Sequence, residues 1–150
     1  MHVTMKRGPA RTALIAMVLS TLAGCAVGYS GKAYDRAIAT RHKTVLLLDK
    51  AKDDDSARAH KSEIAALRAD YAKAVEAEQA REGVMTRNTE SINIWKSISK
   101  LVQRPLALWE KQGKLNIRFI NSFKDELHKS FKDLLDLEQA KKGAPAKANK

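Results

Sequence analysis

Apolar residues recur at helical spacing in four stretches of the chain, separated by short polar interruptions. Tyr34, Ile38, Val45 and Leu48, joined by Leu46 and Leu47, predict a first helix from about Lys32 to Lys52. Asp53-Asp54-Asp55-Ser56 breaks that pattern, and its negative charge and capping oxygens suit the start of a second helix. From about Ser56 to Glu82 the apolar stripe is narrow: Ile64, Leu67, Tyr71, Ala74 and Val75, spaced by threes and fours like the seam of a coiled coil. Glu78 and Arg81 interrupt its register, and Gly83 leaves open whether the helix runs on through Met85 to Thr89.

Between Ile92 and Arg104 the two faces separate cleanly. Ile92, Ile94, Trp95, Ile98, Leu101 and Val102 fall on one half of a helical wheel, and Asn93, Lys96, Ser97, Lys100, Gln103 and Arg104 on the other. Pro105 is expected to end or kink this third helix, with Leu106-Ala107-Leu108-Trp109 following and Gly113 marking a turn. From Lys114 to about Ala140 a fourth helix carries Ile117, Phe119, Ile120, Phe123, Leu127, Phe131, Leu134, Leu135 and Leu137 on one broad arc. Asp125 with Lys129 and Glu138 with Lys142 are spaced for supporting ion pairs along it. An arc that wide needs cover from other helices. Lys141 to Lys150 reads as a basic, disordered tail. No alternating strand pattern and no internal repeat occurs, so the expected fold is all-α: a helical bundle or long helical hairpin of three to four helices over residues 32–140.

The N-terminus has a different character. Lys6, Arg7 and Arg11 precede an uncharged run from Thr12 to Gly24, the n-region and h-region of an export signal. Roughly a dozen apolar residues fall short of the ~20 that a membrane-spanning helix needs. The run ends in Leu22-Ala23-Gly24-Cys25, and Cys25 is the only cysteine of the protein. These residues resemble the lipobox of bacterial lipoprotein precursors, with Leu22 as the bulky apolar position and Ala23 and Gly24 as the small ones. The resemblance covers the first 25 residues and implies that residues 1–24 are a cleaved signal peptide, cut between Gly24 and Cys25. It further implies a diacylglyceryl group on the Cys25 thiol and an acyl group on its new amino terminus, with no other cofactor. Two or three acyl chains hold a protein on a bilayer stably where one does not. Residues 25–31 then form a tether. In lipoproteins of this kind the residue after the cysteine influences sorting, and Ala26 in that place favours the periplasmic face of the outer membrane, or the plasma membrane in a Gram-positive host.

Charge adds one further expectation. From Cys25 onward the chain has 25 basic and 17 acidic residues, and the surplus is greatest between Gly83 and Arg118 at a formal +5. That segment also holds both tryptophans. A helix with lysine and arginine on one side and tryptophan on the other can lie in a bilayer interface. Trp95, Lys96, Lys100, Arg104 and Trp109 are therefore the candidate contact residues for a membrane, for an anionic lipid or peptidoglycan, or for an acidic protein partner; core tryptophans beneath a solvated basic face are the simpler alternative. Nucleic acid is a poor partner for an exported protein. The narrow Ile64 to Val75 seam also leaves room for a homo-oligomer.

Catalytic signatures are missing from the sequence. His2, His42, His60 and His128 are scattered without metal-ligand spacing, and there is no nucleophile elbow or glycine-rich phosphate loop. Asp53-Asp54-Asp55 fits a helix start better than a divalent-cation site. The expectation is a non-enzymatic, lipid-anchored envelope protein with a structural, scaffold or partner-binding role. The alternatives are an accessory lipoprotein of a secretion, conjugation or surface-exclusion system and, less favoured, a small envelope hydrolase.

Overall fold

The computed structural model describes residues 29–52, 56–81 and 88–142. They form four helices, α1 (Gly31–Lys50), α2 (Lys61–Gln79), α3 (Asn88–Gln112) and α4 (Ile117–Lys141), with no strand among the described residues. The protein is an all-α helical bundle, as its periodicity predicts. Each helix packs on the next in chain order and α4 closes the ring against α1, while α1 and α3 meet weakly across the diagonal. The α1–α2 ion pairs Lys43–Asp70 and Lys50–Glu63, both at 2.6 Å, show the antiparallel register directly, one partner number rising as the other falls. One pole therefore gathers the start of α1, the end of α2, the start of α3 and the end of α4. At the opposite pole the Leu115 amide donates to the Ala51 carbonyl at 2.9 Å and ties the α3–α4 turn to the end of α1.

The helix ends have local causes. Ser30 caps α1 by accepting from the Ala33 amide, and Asn116 caps α4 by accepting from the Arg118 amide. Gly113 ends α3 with a φ of +83°, a conformation glycine adopts without a Cβ penalty. Two expectations need correction here. A turn over residues 57–60 precedes α2, which begins at Lys61 and not at Ser56, because the Ser56 hydroxyl engages the Arg58 amide in that turn. Pro105 does not end α3. The helix continues through it for seven more residues, with Pro105 itself buried. A proline inside a helix costs ~3 kcal/mol. Leu106 and Trp109 lie just beyond it, are fully buried, and each contribute ~2–3 kcal/mol of burial, so packing outweighs the lost hydrogen bond.

The core is built from unequal contributions. Up to Thr44 α1 buries only Ala33, Ala37, Thr40 and Thr44, and larger side chains enter at Leu47 and Leu48. The other three helices supply the bulk opposite: Trp95 of α3 meets Tyr71 of α2 edge-on at 6.1 Å and Phe131 of α4 edge-on at 5.8 Å. The Tyr71 hydroxyl reaches Thr44 Oγ1 at 2.8 Å, and Thr44 in turn donates to the Thr40 carbonyl, so Tyr71 donates to Thr44. Burial pushes the Tyr71 phenol above its usual range. Near the other pole Lys124 of α4 reaches Asp49 of α1 at 2.5 Å, and Arg68 of α2 makes two hydrogen bonds to Glu110 of α3 at 3.0 and 2.8 Å.

Thr44→Val should leave the Tyr71 hydroxyl buried without its acceptor and lower stability by ~1–3 kcal/mol in urea denaturation, and adding Tyr71→Phe should recover most of that loss. A single substitution with no effect would contradict the buried pair. Hydrogen bonds from Lys124 to Asp49, from Lys50 to Glu63 and from Arg68 to Glu110 hold these three carboxyls below their ordinary pKa values. Carboxyls depressed in the folded state stabilise it above the unfolded pKa, so the benefit is complete above about pH 5 and drains away as pH falls through the depressed folded values. Urea midpoints should therefore drop on acidification, and Asp49→Asn should make the acid limb shallower.

Candidate functional site

The pole where α1 begins holds a layer of buried polar side chains drawn from α2, α3 and α4. Glu78 of α2, Asn88 and Ser91 of α3, and Glu138 and Lys141 of α4 are each at most 2% exposed. Glu78 sits at the next seam position after Tyr71 and Ala74, so the interruption in the α2 stripe is a carboxylate carried into the core. Lys141 Nζ donates to Glu138 Oε1, to Ser91 Oγ at 2.7 Å and to Asn88 Oδ1 at 3.2 Å, using its three donors. Ser91 Oγ donates its own hydrogen bond to Glu138 Oε1 at 2.7 Å. Asn88 Nδ2 donates to the Glu78 carbonyl, which links the end of α2 to the start of α3.

Two arginines complete the layer. Arg81 donates to Glu78 Oε2 at 2.7 Å and lies 3.6 Å from Glu138 Oε2, so one guanidinium spans both carboxylates. Arg36 of α1 approaches Glu78 Oε1 at 3.5 Å from a side chain that is one-third exposed. Those two longer approaches are ion pairs beyond hydrogen-bond geometry, and Glu78 Oε1 and Glu138 Oε2 rest on coulombic support alone. With two carboxylates against Arg36, Arg81 and Lys141, the layer carries one net positive charge. Among the described residues no group of three or more His, Cys, Asp or Glu converges as metal ligands.

This layer corrects the reading of the C-terminus. Lys141 is no tail residue but the last residue of α4 and one of the most deeply buried side chains in the protein. Glu138 pairs with Lys141, three residues on, and not with Lys142, whose Nζ instead lies 5.6 Å over the Tyr29 ring. The helix turns Glu138 and Lys141 inward together.

The predicted contact residues divide by face. Trp95 and Trp109 are 1% and 0% exposed; their rings are core, and neither can reach a membrane or a partner. Trp109 Nε1 donates to the Gly113 carbonyl at 3.1 Å and its ring stacks on His60 at 5.6 Å, which fixes the opposite pole. Lys96, Lys100 and Arg104 are exposed on the outer face of α3, and Lys111 extends the same row. None of the four makes an ion pair with a described residue. Gly24 and Cys25, the rest of residues 1–28, the Asp53–Asp55 run, Gly83 and residues 143–150 lie outside the described residues.

One open groove of about 350 Å³ runs between α1 and α2, lined by Leu46, Leu47, Ala66 and Leu67 and rimmed by the Lys43–Asp70 and Lys50–Glu63 pairs. Its ionisable groups are engaged with one another. Among the described residues no helix is long and apolar enough to cross a membrane. No protein-family model, characterised protein or solved structure matches the chain.

Removing one partner of the buried layer should be far more damaging than removing a surface pair. Lys141→Met leaves Glu138 buried beside a hydroxyl and a distant guanidinium, and should cost ~3–5 kcal/mol in urea denaturation, whereas Lys132→Ala, which breaks an exposed pair to Asp136, should leave the urea midpoint nearly unchanged. A Glu138→Leu, Lys141→Met double variant should regain much of the loss, since apolar replacement of a whole buried pair is often neutral. Equal effects of the two single substitutions would refute the difference in burial.

Proposed function

We propose that this chain is a lipid-anchored protein of the bacterial envelope whose helical body serves as a non-catalytic scaffold or partner-binding module. The observation that carries this reading is Leu22-Ala23-Gly24-Cys25 standing directly behind a basic n-region and a short apolar run. The geometry of the body is compatible with it. Helix α1 begins at Gly31, six residues after Cys25, with Ser30 as its cap. A body held that way would sit with its polar pole toward the bilayer, on the periplasmic face of the outer membrane if Ala26 sorts as in related precursors.

The partner-binding half of the proposal rests on α3. Its apolar face is consumed in the core, so it cannot insert into a bilayer as an interfacial amphipathic helix does. The exposed Lys96, Lys100 and Arg104 remain for a purely electrostatic contact. The α2 seam offers less for a second copy of the chain than its sequence promises, because Ile64, Leu67, Tyr71 and Ala74 are buried within one molecule.

Cys25→Ser should abolish incorporation of a palmitate probe in a lipoprotein-processing host and leave the uncleaved precursor to accumulate. Labelling that persists in the variant would rule out Cys25 as the acceptor.

A further inference from the structure

The outer row of α3 differs from the outer rows of the other three helices. From Ser91 to Trp109 the sequence contains no acidic residue and Glu110 is engaged by Arg68 of α2, while Lys96, Lys100 and Arg104 fall at successive i,i+4 positions and Lys111 lies two turns beyond. Asp35 and Asp49 interrupt the basic residues of α1, Asp70 and Glu76 those of α2, and Asp125, Asp133 and Asp136 those of α4. The α3 row is a ridge ~22 Å long, with its first three charges ~6 Å apart. Like charges at i,i+4 repel and destabilise a helix, and the spacing is inside the screening length of ~8 Å at physiological salt. A helix optimised for stability alone would alternate the signs, as α4 does with Lys132 and Asp136.

Two features bear on what could neutralise this ridge. It holds no aromatic or large aliphatic side chain of its own to insert into hydrocarbon, only Ala107, since Trp95 and Trp109 point inward. It also lies on the helix diagonally opposite α1, the helix that leads to Cys25. Neighbouring helix axes in a bundle are ~8–10 Å apart, which puts the α3 axis ~13 Å from that of α1, and the outer surface of α3 ~19 Å from it. Six residues of chain, Cys25 to Ser30, span at most ~20 Å when fully extended. Laying the ridge flat on the bilayer would stretch that tether to its limit at an entropic cost, and would press Glu76 and Asp133 of the flanking helices toward the same anionic plane. A linear polymer meets the ridge without either penalty.

We propose that the Lys96, Lys100, Arg104 and Lys111 ridge is a docking surface for a linear anionic glycan of the envelope. The choice of polymer over lipid rests on the proposed anchoring at Cys25. Binding of this kind is a row of point charges against a row of point charges, steep in salt and tolerant of sequence in the polymer.

The test uses the full chain in neutral detergent with polygalacturonate as the probe. The combined Lys96→Gln, Lys100→Gln, Arg104→Gln variant should lose about tenfold or more in affinity, while Lys32→Gln, Lys73→Gln, Lys129→Gln, which removes the same charge from exposed positions elsewhere, should stay within about twofold. Equal losses in both, or no binding by the parent protein at physiological salt, overturn the proposal. A second arm places the chain in phosphatidylcholine nanodiscs with and without phosphatidylglycerol and follows acetylation of Lys96 and Lys100 by mass spectrometry. Equal rates in the two discs support a ridge free of the bilayer, and protection by phosphatidylglycerol would assign it to lipid. A chain that fails to co-elute with the discs speaks against the anchor, and the detergent arm then still decides whether the ridge binds the glycan.

Discussion

Glu78 and Glu138 are carboxylates withdrawn from water at one pole of the bundle, and most of the architecture around them follows from keeping them charged and compensated. A buried carboxylate without partners costs several kcal/mol, so cations must be brought to it from whatever helices stand near. Arg81 comes from just beyond α2, Arg36 from α1 and Lys141 from the end of α4, while Ser91 of α3 donates to Glu138 and, with Asn88, accepts from Lys141. The layer is charge-compensated only when all four helices arrive in this order and register. An apolar layer in the same place would tolerate a slip of one helix past another; this one does not, and a single polar seam position is known to specify register in coiled coils. The net contribution to stability is small. Its effect is to exclude alternatives.

The middle of the bundle solves a different problem. Small residues along the first half of α1 let that helix sit close, and Tyr71, Trp95 and Phe131 extend from the other three to fill what it leaves empty. The Thr44 hydroxyl serves this arrangement twice, donating to its own helix and accepting from Tyr71. Large and small faces are thus distributed between helices and not along each one, which leaves α1 the least apolar member of the core and the one most dependent on its partners.

Much of this was legible in the sequence because it rests on periodicity. The 3.6-residue repeats placed four helices, and Gly113 marked its turn. Pro105 left open an end or a kink because its local penalty is about the same size as the burial of one or two large side chains, and only the packing of Leu106 and Trp109 rules out the end. Lys141 misled for another reason. A lysine beside a low-complexity basic run looks like tail, and its burial depends on Ser91 and Asn88, fifty residues away. The spacing did contain a signal, since Glu138 and Lys141 continue the 3–4 rhythm of Leu127, Phe131 and Leu134, just as Glu78 continues that of Tyr71 and Ala74. Polar residues in phase with a seam belong to it. The tryptophans show the converse: a basic amphipathic helix with Trp on its apolar side has one pattern whether that side meets lipid or three other helices, and only the presence of those helices distinguishes the two.

The Tyr29 ring beneath the Lys142 ammonium has a topological meaning as well as a local one. It brings the two ends of the described body to within a side chain of each other, at the pole opposite the Ala51–Leu115 tie. A helical body closed in this way has no privileged starting point: Tyr29 and Lys142 could be joined there and the circle reopened at the far turn, ~37 Å away along α4, without disturbing a helix. The bundle is in this sense a ring of four rods, and which pole the flanking chain leaves from is decided by where the ring happens to be cut.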